Sequence, residues 1–184
     1  MGRLEALLEN HPHAGVGECG LDQWVSTSSI DLQMPVFLDQ VGIARRFDRP
    51  LTVHCLKAWG PLVEAFSRIA PPRFLMHSFA GSIEIARRLL PLGARFSCSG
   101  YFLHDRKAAA LDVFRNLPKD RLLLESDAPD MAPPESARSH PLPGTLNHPA
   151  NLPEIGRRLA GLLAMEVDDF AALTDRNTTD WLGF

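Results

Sequence analysis

Short apolar runs alternate with longer amphipathic stretches along most of this chain. The runs at 14–18, 51–54, 74–77, 94–98 and 122–127 have the length and character of strands covered on both faces. The segments 34–47, 60–70, 82–91 and 105–116 between them, and 151–163 and 167–182 after the last, have helical length and spacing. Phe37, Val41 and Ala44 fall on one face of the first. Another helix precedes the first strand, with Leu4, Leu7 and Leu8 on one side. This alternation predicts an α/β fold, with parallel strands and peripheral helices.

Punctuation fits those boundaries. Pro35 and Pro61 suit first helical turns, Ser82 an N-cap, and Gly93 follows the helix end at Leu89-Leu90. Residues 129–153 hold seven of the fifteen prolines and no apolar periodicity. They read as one long loop beyond the C-terminal end of a strand, where functional loops concentrate. A closed barrel of strand–helix units needs eight of them and about 250 residues. With five strands in 184 residues the sheet is either open or a barrel lacking one end. No repeat or change of composition marks a second domain, so 1–184 reads as one.

Composition narrows the class. At 45% hydrophobic and 22% charged the chain is neither disordered nor fibrous. No window approaches the roughly 18 apolar residues of a membrane span. Glu5 and Glu9 stand where a signal peptide is basic and then apolar. These features predict a cytoplasmic protein, or a nuclear one in a eukaryote, without a membrane partner. Nineteen basic residues against 22 acidic ones give a net charge of −3 with no long run of either sign, hence no basic footprint for nucleic acid. Bound metal would add positive charge that this count misses. Cys19, Cys55 and Cys98 are odd in number and widely spaced, which fits packed thiols in a reducing compartment. Phosphate loops of the GxGxxG or GxxxxGK[ST] type and a GxSxG elbow are absent from the sequence.

Chemistry gathers at the predicted strand ends. Glu18, His54, His77 and Asp127 each stand at or near the last position of a strand, and parallel strands bring those ends to one rim. Two imidazoles and two carboxylates suit Zn²⁺, Mn²⁺ or Fe²⁺. The competing reading lets each residue simply end a strand, the histidines bonding backbone and the acids facing water. Coincidence at four ends favours the metal. Glu125, two residues before Asp127, points to the same side and is expected to orient an imidazole. His13 falls about 16 Å from Glu18 along an extended chain, so His11 and His13 read as a turn between the first helix and the strand. Lys57, Ser78 and Ser99 lie near strand ends as candidate phosphate contacts, against ordinary surface or capping roles. Tyr101 and Phe102 read as core residues in preference to base-stacking ones.

The segments Val16-Gly-Glu-Cys-Gly-Leu-Asp22, Pro50-Leu-Thr-Val-His54, His77-Ser-Phe-Ala-Gly81 and Arg121-Leu-Leu-Leu-Glu-Ser-Asp-Ala-Pro129 resemble successive signatures of the TatD family of metal-dependent deoxyribonucleases. Leu146-Asn-His-Pro-Ala-Asn151 and Arg176-Asn177 are also similar to that family. The resemblance implies a TIM-type (β/α) barrel that hydrolyses the phosphodiester bonds of DNA with one or two divalent ions (Zn²⁺, Mg²⁺ or Mn²⁺). Glu18 would bridge two metals, His54 and His77 would hold one, and Asp127 would hold the other beside the attacking water. Glu18 and Asp127 would thus be the catalytic pair.

Three departures accompany the resemblance. Family members begin with a strand bearing an HxH pair that this chain lacks. The expectation is therefore an incomplete barrel without its N-terminal βα units, with an exposed edge at 14–18 and a weakened or one-metal site. The family's H-x-R reads His54-Cys55-Leu56, so the basic phosphate contact is lost or displaced to Lys57. Its acidic motif reads Glu125-Ser126-Asp127, which keeps both carboxylates. The alternatives are a hydrolase of amides or small phosphoesters, an inactive member that binds a partner, and, less compatible with a βα series, an iron oxygenase. Protein partners stay unassigned.

Overall fold

The computed structural model describes residues 2–24, 26–27 and 29–183. In chain order its main elements are α1 (Gly2–Asn10), β1 (Val16–Asp22), α2 (Ile30–Arg46), β2 (Leu51–Leu56), α3 (Trp59–Arg68), β3 (Phe74–Met76), α4 (Ile83–Leu89), β4 (Ala94–Ser99), α5 (Ala108–Asn116), β5 (Leu122–Glu125), α6 (Leu152–Leu162) and α7 (Val167–Leu182). The expected α/β alternation is present. The strands form one sheet in the order β1-β2-β3-β4-β5, with β1 and β5 at its ends. Register is parallel throughout the pairs β1–β2, β2–β3 and β4–β5. No described helix is long and apolar enough to cross a membrane.

Two boundaries differ from expectation by four residues. β1 continues four residues past Glu18, because Gly20, Leu21 and Asp22 pair with His54, Cys55 and Leu56. α2 begins at Ile30, where the Ser29 hydroxyl accepts the Leu32 N–H at 3.4 Å, so Pro35 lies inside the helix instead of in its first turn.

Two compact units make up the chain. One comprises the chain up to His77, Glu84–Arg95 and the chain from Trp181 onward; the other comprises Ser78–Ile83 and Phe96–Asp180. The first unit builds its core from the apolar stripe of α2 (Phe37, Val41, Ala44), Leu51 and Val53 of β2, Leu62 and Phe66 of α3, and Phe74 and Met76 of β3, all buried. Phe66 contacts both Phe37 (centroids 5.8 Å apart) and Phe74 (4.9 Å), so helices and strands share one aromatic cluster. Full burial of each such side chain contributes about 1.5–3 kcal/mol.

The second unit packs Phe79 on Phe96 (4.7 Å) and Phe102 on Phe114 (5.9 Å), with Leu122, Leu123, Leu159 and Phe170 buried as well. Gly100 permits this packing, since a Cβ there would lie 2.7 Å from Ile155 Cδ1. The buried Asn177 amide of α7 donates to the carbonyls of Lys119 and Leu122, both at 2.8 Å, and so fastens α7 to the start of β5. The proline-rich loop contains short 3₁₀ turns at Glu135–Ala137 and Pro149–Asn151. Side-chain amides order it: Asn147 donates to the Ser126 carbonyl (2.6 Å), and Asn151 donates to Asn147 Oδ1 (3.0 Å).

Candidate metal centre

A bulge in β1 sets the geometry of the first unit's cluster. Val16 pairs with Leu51 and Cys19 with Val53, so β1 spends three steps against two on β2. The extra residue resets the alternation. Cys19 and Leu21 turn inward to the core, and Glu18, Gly20 and Asp22 share the other side. Gly20 faces His54 closely enough that a Cβ would stand 1.9 Å from the His54 carbonyl oxygen. Only glycine allows that approach.

Three ligand-type side chains then meet. Glu18 Oε1 lies 3.0 Å from His54 Nδ1 and 3.7 Å from His77 Nε2. One ligand atom from each of Glu18, His54 and His77 falls within 4.8 Å of the others. Tetrahedral ligands at 2.0–2.1 Å from an ion stand about 3.3 Å apart, so these two separations bracket what Zn²⁺ requires. Side-chain exposure grades from 15% at His77 to 34% at His54 and 46% at Glu18, which leaves an open side for water or substrate. The donor set and the spacing fit a divalent metal. A shallow cleft lined by Glu18, Gly20, Asp22, Gln33 and His54 lies beside them.

Sequence reasoning missed Asp22. Its Oδ2 lies 3.2 Å from His54 Nε2, the nitrogen turned away from Glu18. A carboxylate only accepts, so it favours the tautomer with the proton on Nε2 and leaves the Nδ1 lone pair toward Glu18. Asp22 is itself held: Oδ1 accepts the Trp24 N–H (2.7 Å), and Gln33 of α2 accepts the Asp22 N–H (2.7 Å) while donating to its carbonyl (2.8 Å). The available signal was the four-residue spacing from Glu18, which places both side chains on one face once the strand extends that far.

Asp127 belongs to the second unit, two residues beyond the end of β5, with φ of 59°. Lys57 (φ 55°) and Ser78 (φ 42°) likewise follow strand ends in left-handed conformations, which non-glycine residues adopt at a cost of about 1–3 kcal/mol. Glu125, expected to orient an imidazole, accepts the Ser97 hydroxyl at 2.6 Å, and Ser97 Oγ accepts the Ser78 N–H at 3.1 Å. Ser99, a candidate phosphate contact, is fully buried, with its hydroxyl 3.0 Å from Ser78 Oγ.

Lys57 is exposed, and its Nζ stands 4.0 Å from the centroid of the Trp24 ring. Tyr101 corrects the core expectation, since Arg106 and Lys107 both lie over its ring and the Arg106 hydrogen bond lowers its pKa. Phe102 is buried, as expected. His11 and His13 are exposed in the turn between α1 and β1. All three cysteines are buried and unpaired with one another. Burial pushes Cys19 and Cys55 up to about 12 and Cys98 well above the ordinary thiol value, which makes them poor thiolate ligands.

A parallel α/β sheet with imidazoles and a carboxylate converging near its strand ends defines a metal-dependent hydrolase class. The chain belongs to the TatD related DNase family, whose model matches residues 1–183. Bacillus subtilis YabD, an uncharacterized metal-dependent hydrolase, is 29% identical over 176 residues, covering 95% of this chain and 67% of that one. A 3′-5′ ssDNA/RNA exonuclease TatD of Erwinia billingiae is 30% identical over 177 residues, with 95% and 67% covered. Escherichia coli YjjV is 32% identical over 164 residues, 88% of this chain and 60% of that one. The crystal structure of YjjV, a TatD homolog, matches with a TM-score of 0.89 at 28% identity, covering 100% of this chain and 70% of that one. The chain thus spans about two thirds, or less, of the length of the curated relatives it matches.

Proposed function

We propose that this chain hydrolyses phosphodiester bonds of DNA, with Glu18, His54 and His77 holding a divalent ion. The observation that carries this reading is the convergence of those three ligand atoms within 4.8 Å. The Erwinia relative's name, an exonuclease of single-stranded DNA and RNA, supports a nucleic-acid strand as substrate.

A bound ion supplies Lewis acidity here, lowering the pKa of a water toward neutrality and offsetting charge that builds on the non-bridging phosphate oxygens. The protein's own groups do the rest. Asp22 keeps the proton on His54 Nε2, Glu18 contributes the anionic ligand, and the open side admits the scissile phosphate. Asp127, assigned through the Glu125-Ser126-Asp127 motif, accepts a proton from the attacking water as its oxygen moves in line onto phosphorus; the opposite P–O bond to the leaving sugar breaks, and that oxygen takes a proton from solvent.

The test is release of mononucleotides from single-stranded DNA by purified protein supplied with Mg²⁺ or Mn²⁺. The reading predicts metal-dependent release, lost on EDTA treatment. Asp127→Asn is expected to reduce turnover by at least two orders of magnitude, in keeping with loss of a general base, while retaining the ion held by the trio. Hydrolysis restricted to amides or small phosphoesters, or none by metal-loaded protein, would contradict it.

A further inference from the structure

Trp24 is the exposed counterpart of the buried aromatic core, with 66% of its surface open to water. An indole so placed is an unusual surface feature. The Trp24 backbone N–H donates to Asp22 Oδ1 at 2.7 Å, which ties this stretch of chain to the residue beside His54, and the Lys57 ammonium sits 4.0 Å from the indole ring centroid. Trp24 follows the end of β1 by two residues and Lys57 directly follows β2, the two strands that carry Glu18, Asp22 and His54 of the cleft lining. An aromatic face paired with a mobile cation is the combination that binds a single strand: every base offers a ring to stack, and each linkage offers a negative phosphate.

We propose that Trp24 and Lys57 form a nucleic-acid subsite beside the metal centre, Trp24 stacking a base and Lys57 pairing with a backbone phosphate. The proposal rests on the nucleic-acid reading above. It assigns recognition to a pair that carries no chemistry itself, and it gives Lys57 a place despite the displacement of the basic residue along the chain. Lys57 leaves the ring face for phosphate when a strand arrives, so base and ammonium do not compete.

The experiment measures binding of a labelled oligothymidylate, and of an abasic strand of equal length and charge, by fluorescence anisotropy in EDTA across a salt series. Wild-type protein is expected to bind oligothymidylate on the order of tenfold tighter than the abasic strand. Trp24→Ala should erase that preference, and Trp24→Phe should restore most of it. Lys57→Gln should weaken both strands alike and reduce the salt slope by about one. Thermal melts of each variant separate misfolding from lost contacts, and the Trp24→Phe rescue keeps the test decisive if Trp24→Ala is unstable. An unchanged preference in Trp24→Ala, or an unchanged salt slope in Lys57→Gln, overturns the subsite. If wild-type protein meanwhile releases nucleotides, the nuclease reading stands without it. If wild-type protein neither binds nor cuts any strand but hydrolyses bis(p-nitrophenyl) phosphate, both fall together.

Discussion

In the proposed metal centre, Asp22 is a group that would touch no metal yet act on one of its ligands. Its carboxylate on His54 Nε2 fixes both the tautomer and the ring orientation, and Gln33 and the Trp24 N–H fix the carboxylate in turn. Asp22→Ala is expected to weaken Zn²⁺ or Mn²⁺ binding about 10- to 100-fold, and Asp22→Asn by less, because an amide oxygen can still accept the Nε2 proton. Calorimetric titration checks this; equal affinity in Asp22→Ala and wild type would remove Asp22 from the site. The thiols make the opposite prediction. With Cys19 and Cys55 near 12, about one thiol in ten thousand is ionised at pH 8, so iodoacetamide should label them only after unfolding. Mass spectrometry showing rapid labelling of the native protein would contradict their burial. The convergence of Glu18, His54 and His77 was legible in the sequence because parallel strands bring their C-terminal ends to one rim. Asp22 was not, because a bulge leaves no periodic signature and the strand was read as ending at Glu18.

Elements place these residues, and their boundaries matter more than their existence. The strand at 14–18 exists but runs to Asp22, and that extension is what brings Asp22 beside His54. Gly20→Ala would force β1 and β2 apart at His54; a loss of about 1–3 kcal/mol in stability with weakened metal binding is expected from a denaturation midpoint and titration. α2 was read as starting four residues late, since its first turn shows no core stripe and Leu32 is 68% exposed. Only the Ser29 cap marks the true start.

On α6, hydrogen bonds first from Arg157 and then from Arg158 hold Glu154 down to about 2. A depressed carboxyl pKa stabilises above its ordinary value of 4.5, and that contribution fades as pH falls from there toward 2. Glu154→Gln should therefore lower the melting temperature slightly at pH 6, and the difference should vanish near pH 2, the pair being too exposed for a large effect.

At the scale of the whole molecule, the strand–helix rhythm was readable because burial on both faces of a parallel sheet leaves short apolar runs with helical spacers between them. The division into two compact units was not, since composition is even along the chain and the units interleave in sequence. Nor was the order within 129–153, where Asn147 and Asn151 bond to backbone and to each other at positions that follow no period. The central claim is that Glu18, His54 and His77 bind one ion together. Elemental analysis of purified variants tests it most directly. His54→Ala and His77→Ala should each lose most of the divalent metal that wild-type protein carries, and His11→Ala and His13→Ala should keep it. Equal loss in the two pairs, or full metal content in His54→Ala and His77→Ala, would contradict the claim.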